Sequence, residues 1–393
     1  MSSPFDKKKI VIIGPAHPLR GGLASYDERL AKEFTFQGYD SAIYTFSLQY
    51  PGFLFPGTTQ YSTEPAPHGI KIKICINSVN PLNWIKIGNE LKRLKPDIIV
   101  VRYWLPFMGP CLGTILRRVK KNKHTKIVCI ADNILPHEKR PGDLIFTKYF
   151  LKPVDAFITM SEKVLTDLKT FVKNKPAQFV PHPLYDNFGE KISKEEARKK
   201  LGIDLNDKII LFFGFIRKYK GLDILFKAMN ILKNQKPGTG DLKLLIAGEF
   251  YEDKTMYIDL INELGIKDDL ILHTDFIPDR EVRNYLCAAD CVVQPYRNAT
   301  QSGVTPLAYH FEKPMIVTNV GSLPALVPDK KAGLVAEPNA ADIAEKIFNY
   351  FQLGENYFLA HLREEKKKYN WNNMVQEILK QGSHGNHVIN KIT

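Results

Sequence analysis

Short runs of aliphatic and β-branched residues alternate along this chain with longer segments in which apolar residues recur at helical spacing. In the first half, the runs that predict strands are 9–14, 41–45, 71–75, 97–101, 126–131 and 156–160. Amphipathic segments such as 25–33, 84–94 and 161–172 separate them and predict helices. This alternation is typical of an α/β fold, a doubly wound parallel sheet with helices on its faces.

The same alternation restarts in the second half. Segment 175–205, with Pro176, Pro181 and Pro183 followed by polar residues, is typical of a linker. Beyond it, strands are predicted at 208–214, 242–247, 270–274, 291–294, 314–318 and 333–335, and helices at 220–233, 256–264, 280–289 and 341–351. A last helical stretch follows Gly354. We therefore predict two Rossmann-like domains, at 1–186 and 187–354, and a C-terminal helical segment at 355–393 that crosses back to the first domain.

Ligands of such sheets bind outside the carboxyl ends of the strands, so we expect an active site in a cleft where the two domains face each other. The length of 393 residues suits two cores, and 44% hydrophobic with 25% charged residues is ordinary for a packed enzyme. We see no secretory signal pattern and no apolar run of the roughly 20 residues that span a bilayer, so we expect a cytoplasmic location. The five cysteines are expected to be reduced, without a metal site.

The net charge of +13 indicates anionic partners, either nucleotide phosphates, nucleic acid or acidic lipid headgroups. Its densest basic cluster lies at 117–126. That cluster is interpreted either as a solvated helix end or as a patch that faces a membrane or an acceptor. A nucleic-acid role is disfavoured because the other basic residues are dispersed and no reader motif accompanies them.

A glycine pair, Gly21–Gly22, precedes the first predicted helix, and neither the dinucleotide fingerprint nor the phosphate loop is present. Backbone N–H groups there could approach an anion, although a plain tight turn explains the pair equally well. In the second half, Arg217 and Lys220 follow a strand end, where they could neutralise a diphosphate. The alternative is two solvated basic residues on a loop.

Further polar residues follow other strands of the second half. Ser302, Gly303 and Val304 precede Pro306, and their N–H and hydroxyl groups are predicted to form a second phosphate cradle. Glu249 lies at another strand end, and the backbone of Ile277 is a candidate partner for a nucleobase edge. These residues are assigned to donor binding.

The candidate acceptor residues belong to the first half. Asp132, His137 and Glu138 follow a strand, where an acceptor site is expected, and a hydrogen-bonded loop is the alternative. Tyr103 and Trp104 could form a wall for sugar stacking, with core packing as the alternative.

In this order, the motifs resemble those of the retaining glycosyltransferases of family four, also called glycosyl transferases group one, which have the GT-B fold. The resemblance rests on Gly21–Gly22, Arg217 and Lys220 before Gly221, and Gly248–Glu249, and continues through 276–278, 288–290, 313–318, 320–322 and 333–335. It implies that the first domain binds the acceptor and the second the nucleotide-sugar, without metal or cofactor. It also implies a role in cell-surface glycan synthesis.

One departure from that pattern concerns two glutamates that the family usually carries eight positions apart. Alignment on Lys313–Pro314 places Ala299 and Leu307 at those positions. The loop Ala-Thr-Gln-Ser-Gly-Val-Thr resembles that of a bacterial subgroup, which suggests a coherent variant.

By this resemblance, the hypothesis is transfer from a nucleoside-diphosphate sugar, with UDP or GDP as the expected nucleotide, to a carbohydrate or lipid-linked acceptor. Arg217, Lys220 and the 302–303 turn would stabilise the leaving diphosphate, and Gly21–Gly22 would close over it. His137 is the first candidate for a catalytic residue and Asp132 the second. The rival readings are an epimerase, a phosphorylase, or a non-catalytic sugar-nucleotide-binding partner protein. Contact with the inner face of the membrane would suit a lipid-linked acceptor.

Overall fold

The computed structural model describes residues 7–52, 59–135, 141–235, 241–299 and 302–383. These residues form two compact units, one drawn from Met1–His182 and Asn370–Thr393, the other from Pro183–Tyr369. Each unit holds a parallel sheet with its own hydrophobic core. The predicted pair of Rossmann-like domains is therefore confirmed.

The sheet of the first unit has the strand order β3-β2-β1-β4-β5-β6-β7. Its strands are β1 (Lys9–Ile13), β2 (Asp40–Leu48), β3 (Lys71–Asn77), β4 (Ile98–Tyr103), β5 (Lys126–Ala131), β6 (Ala156–Thr159) and β7 (Ala177–Phe179). The helices between them are α1 (Gly22–Phe36), α2 (Pro81–Leu94), α3 (Gly109–Lys120), α4 (Asp143–Leu151) and α5 (Glu162–Phe171). The central strands are buried on both faces, which explains their continuous apolar runs.

The sheet of the second unit has the order β10-β9-β8-β11-β12-β13. Its strands are β8 (Lys208–Phe213), β9 (Leu242–Ala247), β10 (Leu270–His273), β11 (Cys291–Gln294), β12 (Met315–Thr318) and β13 (Gly333–Ala336). Its helices are α6 (Lys194–Leu201), α7 (Leu222–Gln235), α8 (Thr255–Leu264), α9 (Val282–Ala288), α10 (Val304–His310), α11 (Leu323–Leu326), α12 (Ala340–Leu353) and α13 (Glu355–Lys366).

The last helix, α14 (Trp371–Ser383), belongs to the first unit, where it packs on α1 and on β4, β5 and β6. Gly382 makes this possible, because a Cβ there would lie 2.5 Å from Cδ1 of Ile98. Trp371 lies against Tyr26 of α1, with ring centroids 4.9 Å apart. The predicted return of the C-terminal helix to the first domain is therefore confirmed.

The returning segment is shorter than the predicted 355–393. Residues up to Tyr369 lie in the second unit. Phe358 and Leu362 of α13 are fully buried there, and Lys366 Nζ donates to the carbonyl of His310 at 2.9 Å. The stretch after Gly354 is thus two helices with different partners.

The segment predicted as a linker, 175–205, instead contains β7 and α6. Helix α6 is polar in sequence, and its first turn is capped by Ser193 Oγ, which accepts from Glu196 N at 3.1 Å. The helix is held by Arg198, whose buried guanidinium donates to the carbonyls of Ala288 and Leu205 and to Asp290. Ion pairs and hydrogen bonds thus hold α6 in place, and the helix lacks the apolar face by which sequence periodicity detects helices.

In each sheet the strand order reverses at one point. The reversal lies between β1 and β4 in the first unit and between β8 and β11 in the second. Crevices outside the carboxyl ends of the strands at such points are where doubly wound proteins bind ligands. These two places are therefore the candidate ligand sites of the two units.

Candidate functional site

Lys220 is the central residue at the reversal point of the second unit. It ends the turn Lys218–Lys220 after β8, and it is buried. Its ammonium lies over Gly214, since a Cβ on that glycine would be 3.2 Å from Nζ. Nζ also lies 5.8 Å from the ring centroid of Tyr296. A side chain at position 214 would displace the ammonium, so the bare backbone of Gly214 makes room for it.

The charge of Lys220 has no counterion in the described part of the chain, because no carboxylate there lies within ion-pairing distance of Nζ. Burial, together with the smaller effect of the positive charge of Arg217, lowers the pKa of Lys220 to about 7. A buried cation without a partner is costly, so the position favours an anion. The sequence prediction of an inward-pointing Lys220 agrees with this geometry.

Arg217 lies on the same turn but in a different environment. Its side chain is exposed, and its guanidinium carbon lies 5.1 Å from the ring centroid of Tyr251. The Arg217 carbonyl accepts from the N–H of Lys220 at 2.8 Å. The backbone therefore links the two residues, while their side chains differ in exposure.

Two contacts join the loop after β8 to the loop after β11. Gly221 has a φ of +68°, and a Cβ on it would lie 2.0 Å from the Pro295 carbonyl oxygen. Arg297 donates to the Lys218 carbonyl at 3.0 Å and makes a bidentate ion pair with Asp223, at 2.7 and 2.6 Å. We call these contacts of Arg297 with Asp223 and Lys218 the Arg297 clamp. The clamp holds the turn that carries Lys220, and sequence analysis did not identify it.

The predicted phosphate cradle at 302–304 is not open in the structure. The Ser302 hydroxyl donates to Gln294 Oε1 at 2.6 Å, and the Thr305 hydroxyl donates to the same oxygen at 3.3 Å. Val304 N donates to Ser302 Oγ at 3.2 Å. Sequence analysis had Ser302 face an anion, and this is wrong for the structure because buried Gln294 engages the hydroxyl instead. Gly303 remains exposed, and Val304 Cγ2 lies 3.8 Å from a Cβ placed on Gly214.

The remaining donor candidates lie at the carboxyl ends of the neighbouring strands. Glu249 is buried after β9, and its carbonyl accepts from Ile216 N at 2.8 Å. The preceding Gly248 allows this close packing, since a Cβ there would lie 2.3 Å from the Gly214 carbonyl oxygen. Ile277 follows β10 and is half-buried. The structure thus brings Glu249 to the same edge of the sheet as Gly214.

The two positions without glutamate are both buried and apolar. Ala299 and Leu307 are 3% and 6% exposed. Gly321, with a φ of +56°, packs on the Ala299 carbonyl so closely that a Cβ would lie 1.6 Å from its oxygen. A carboxylate at either position would be desolvated, so the apolar residues agree with their surroundings.

In the first unit, Gly21 and Gly22 lie where α1 begins. Gly21 has a φ of +102°, which favours glycine, and nothing lies within 4 Å of a Cβ placed on it. Gly22 is exposed. The preceding loop is held by Arg20, whose N–H and Nε donate to the carbonyls of Gln60 and Thr59 at 3.1 and 2.7 Å. Gly21 is therefore the N-cap of α1, its carbonyl accepts from Ser25 N at 3.1 Å, and Gly22 is the first helical residue.

A buried ionic cluster fills the reversal point of the first unit. The Arg102 guanidinium makes two hydrogen bonds to Asp132, at 2.6 and 2.7 Å, and lies 3.5 Å from Asp27 Oδ1. Its carbon lies 3.9 Å from the ring centroid of Tyr26. Asp27 Oδ2 has no hydrogen-bond partner in the described part of the chain and lies against Gly14, where a Cβ would be 2.1 Å away.

These surroundings shift two pKa values in the cluster. Burial raises the pKa of Asp27 well above its ordinary value, against the lowering effect of Arg102. The two aspartates raise the pKa of Arg102 above that of a free guanidinium despite its burial. Both oxygens of Asp132, the second catalytic candidate, accept hydrogen bonds from buried Arg102, and its catalytic role stays a prediction.

The two aromatic candidates for sugar stacking, Tyr103 and Trp104, differ in burial. Tyr103 is fully buried, its hydroxyl lies 3.0 Å from the Thr147 hydroxyl, and its ring stacks on Phe150 at 4.1 Å. The predicted sugar contact of Tyr103 is therefore wrong, and the alternative of core packing is confirmed. Trp104 is half-buried, donates from Nε1 to the Tyr50 hydroxyl and packs edge-on against Phe46. Trp104 stays a prediction.

His137 and Glu138 lie outside the described residues, and their roles stay predictions. The five cysteines are free thiols, and all but Cys75 are buried. In the described ranges, no three histidine, cysteine or acidic side chains group together as metal ligands. No helix in the described part of the chain is long and apolar enough to cross a membrane.

Comparison with known proteins assigns the second half of the chain. Residues 193–388 match the family model of glycosyl transferases group 1. A D-inositol 3-phosphate glycosyltransferase of Corynebacterium aurimucosum is 31% identical over 150 residues, 37% of this chain and 35% of that protein. The corresponding protein of Corynebacterium urealyticum is 23% identical over 73% of this chain and 71% of its own length. The match to the first relative therefore spans about a third of that protein.

The fold is shared over nearly the whole chain with the Anabaena protein HepE, solved in complex with UDP-glucose. The TM-score is 0.68 at 15% sequence identity, and the match covers 95% of this chain and 98% of HepE. The TM-score establishes a common fold, and at this identity the likeness shows the fold alone.

Proposed function

The chain belongs to the family of glycosyl transferases group 1 and has the GT-B fold, and on that premise we propose that it moves a sugar from a nucleoside-diphosphate sugar to an acceptor hydroxyl with retention of anomeric configuration. The donor nucleotide is UDP in this proposal, since the structural relative HepE was solved with UDP-glucose. The second unit binds the donor, and the first unit binds the acceptor.

The observation that carries the proposal is the buried ammonium of Lys220 at the strand reversal of the second unit. It lies over the bare backbone of Gly214 at the carboxyl end of β8, and no described carboxylate neutralises it. A diphosphate supplies the missing negative charge. Because the ammonium is already desolvated and held in place, it stabilises that charge more strongly than a solvated lysine.

In the proposed reaction, the bond between the sugar and the diphosphate breaks, and the acceptor hydroxyl attacks the anomeric carbon from the face that the diphosphate leaves. Lys220 stabilises the charge that accumulates on the departing diphosphate, and exposed Arg217 adds a second cation when donor is bound. Glu249, Ile277, Gly303 and Val304 are proposed to line the donor site.

The first unit is proposed to supply the acceptor site. Trp104 offers it a half-buried ring, whereas Gly21–Gly22, where α1 begins, stays a proposed contact of the donor diphosphate. Asp132 stays the second catalytic candidate, and it is also proposed to position the loop that leads to His137, because its ion pair with Arg102 fixes the start of that loop. His137 and Glu138 remain the proposed catalytic and acceptor contacts.

We further propose that the chain is a coherent variant of the family without the paired glutamates. Buried Ala299 and Leu307 support this, because the surrounding residues are packed for apolar side chains. In this variant the sugar and ribose contacts come from other residues. The proposed acceptor is a carbohydrate or a lipid-linked sugar. An enzyme at the inner face of the membrane would reach a lipid-linked acceptor.

The test compares Lys220→Ala with Lys218→Ala, a matched control on the same turn whose side chain is exposed. Transfer from radiolabelled UDP-sugars to membrane extracts and oligosaccharide acceptors is measured together with UDP binding by calorimetry. We expect Lys220→Ala to slow transfer about a hundredfold, the cost of losing one preorganised donor to a developing charge.

Lys218→Ala should stay near wild type. Equal transfer rates in both variants would refute the role of Lys220. Tight nucleotide binding without turnover, over the whole panel of donors and acceptors, would favour the non-catalytic binding protein instead.

A further inference from the structure

Helix α4 of the first unit presents an exposed face that is apolar and basic. Leu144, Ile145, Phe146 and Tyr149 are 57%, 70%, 38% and 37% exposed, and Lys148 and Lys152 lie exposed among them. We call the residues Leu144, Ile145, Lys148, Tyr149 and Lys152 the α4 face. A contiguous group of large apolar side chains on a surface marks a binding site more often than scattered ones do.

The helix is firmly placed in the first unit. Phe150 and Leu151 are buried in the core on its opposite side. Gly109 and Gly113 of α3 let α4 approach closely, because a Cβ at 109 would lie 2.5 Å from the Phe146 carbonyl oxygen and one at 113 would lie 2.7 Å from the Tyr149 ring. The exposure of the α4 face is therefore built into the packing.

The C-terminal end of α4 is also held. Lys175 Nζ donates to the carbonyls of Leu151, Lys152 and Val154 at 2.9, 2.8 and 2.6 Å. A cation at the last turn of a helix satisfies carbonyls that lack partners within the helix. The apolar side chains beyond it are thus presented on a rigid helix.

Three basic side chains, Arg117, Lys148 and Lys152, make the charge of this surface positive. Arg117 of α3 lies over the Tyr149 ring, 3.5 Å from its centroid, and donates to the Tyr149 carbonyl. Arg117, Lys148 and Lys152 have no carboxylate partner among the described residues, whereas neighbouring Lys120 pairs with Asp155 at 2.8 Å. Asp143, in the first turn, is the acidic residue of α4.

We propose that the α4 face docks on an anionic phospholipid bilayer, with Leu144 and Ile145 inserted among the acyl chains and Lys148, Lys152 and Arg117 at the lipid phosphates. A helix with apolar side chains interleaved with lysines lies in the interface plane of a membrane. Charge complementarity selects the occupant, because no described carboxylate pairs with these cations and the surface potential of such a bilayer is negative. The proposal rests on this surface and does not depend on transfer activity.

The test is sedimentation of the full chain with vesicles that contain phosphatidylglycerol and with vesicles of phosphatidylcholine alone. We expect binding to the first kind only, weakened by salt. Two double variants of the α4 face are compared with the wild type. One carries Leu144→Ser and Ile145→Ser, and the other carries Lys148→Ser and Lys152→Ser. Each lysine near an anionic surface strengthens binding about fivefold, so the loss of two should weaken it about 25-fold.

Two control variants carry the same types of substitution on helices other than α4. Met256→Ser with Ile258→Ser removes two exposed apolar side chains of α8, and Lys163→Ser with Lys169→Ser removes two exposed lysines of α5. Both should bind vesicles like the wild type. Circular dichroism and melting temperature verify that each variant is folded.

Ile145→Trp keeps position 145 apolar and gives a second readout, the fluorescence of the introduced tryptophan. Its fluorescence should shift to shorter wavelength with phosphatidylglycerol vesicles and stay unchanged with phosphatidylcholine. Absence of vesicle binding by the wild type, or undiminished binding by both α4 variants, would overturn the proposal. A wild-type dimer that Leu144→Ser with Ile145→Ser converts to monomer, without vesicle binding, would instead assign the face to contact between two copies.

Discussion

At the scale of single residues, burial decides the chemistry of Lys220. Its pKa of about 7 means that about half of the molecules carry the charge at neutral pH. An anion bound beside the ammonium favours the charged form and raises the pKa. Donor binding is therefore coupled to uptake of a proton.

The sign of this coupling gives a pH prediction. About one pH unit or more below this pKa, Lys220 is almost fully charged and the affinity for a UDP-sugar is nearly constant. Above pH 7, the free lysine loses its proton while the bound one keeps it, so the affinity falls about tenfold per pH unit up to the pKa of the complex. Calorimetry between pH 6 and about pH 8.5, in buffers of different ionisation enthalpy, measures both the affinity and the proton uptake.

Lys220→Arg is the control for that prediction, because arginine stays charged over this range. Its affinity should show no decline between neutral and moderately alkaline pH. A decline of the same size in the variant would mean that another group causes it.

Asp27 and Asp132 contact the same guanidinium but are predicted to respond oppositely to amide substitution. The raised pKa of Asp27 makes the folded state hold a proton that the unfolded state releases, so this carboxyl destabilises the fold increasingly as the pH rises above about 4. Asp27→Asn should be at least as stable as the wild type, with an advantage that widens from acidic to neutral pH. Urea unfolding at several pH values measures it.

Asp132→Asn should instead lower the free energy of unfolding by about 3–5 kcal/mol, since it removes the bidentate partner of a buried guanidinium. Loss of stability in Asp27→Asn comparable with that in Asp132→Asn would show that Asp27 is ionised in the folded protein.

At the scale of elements, the Arg297 clamp joins the loops after β8 and β11. Arg297→Ala should weaken UDP binding about fivefold, the effect of losing roughly 1 kcal/mol from a surface pair that positions Lys220. Lys233→Ala, which breaks the pair with Asp269 at 2.8 Å elsewhere in the second unit, is the matched control. Equal UDP affinities in the two variants, measured by calorimetry, would show that the clamp does not position the site.

Elements also show where sequence periodicity fails. The strands predicted in both halves are confirmed, and so are the predicted helices near α1, α2, α5, α7, α8, α9 and α12. Helix α4 was not predicted. Its exposed face carries large apolar residues, so the alternation of an apolar and a polar face that marks an amphipathic helix is missing. Helix α6 was missed for the opposite reason, since its stability comes from Arg198 and a serine cap.

At the scale of the whole molecule, the chain completes its first unit only at its far end. Met374, Val375 and Ile378 of α14 are fully buried in a unit whose sheet ends before residue 182. Met374→Ala should lower the free energy of unfolding of that unit by about 2–5 kcal/mol, the cost of a core cavity.

The second unit contains none of these side chains, so it should keep its own melting transition. Differential scanning calorimetry separates the two transitions. A variant in which both shift downward by the same amount would show that the units unfold as one cooperative body.

The sequence by itself determined the α/β class, the two parallel sheets, the location of every strand except β7, and the position of Lys220 after β8. These follow from local patterns, because buried parallel strands are continuous apolar runs and glycines mark the turns where they end.

The tertiary structure alone decided which polar side chains are available for chemistry. The sequence presents Asp132 as a catalytic candidate, and only the structure shows that Arg102, thirty residues earlier, engages both of its oxygens. Ser302 looked like a phosphate ligand until Gln294 turned its hydroxyl inward. Partners distant in sequence neutralise or bury a group, and no local pattern records them, so only the packed sheets show that Lys220 lacks such a partner in the described part of the chain.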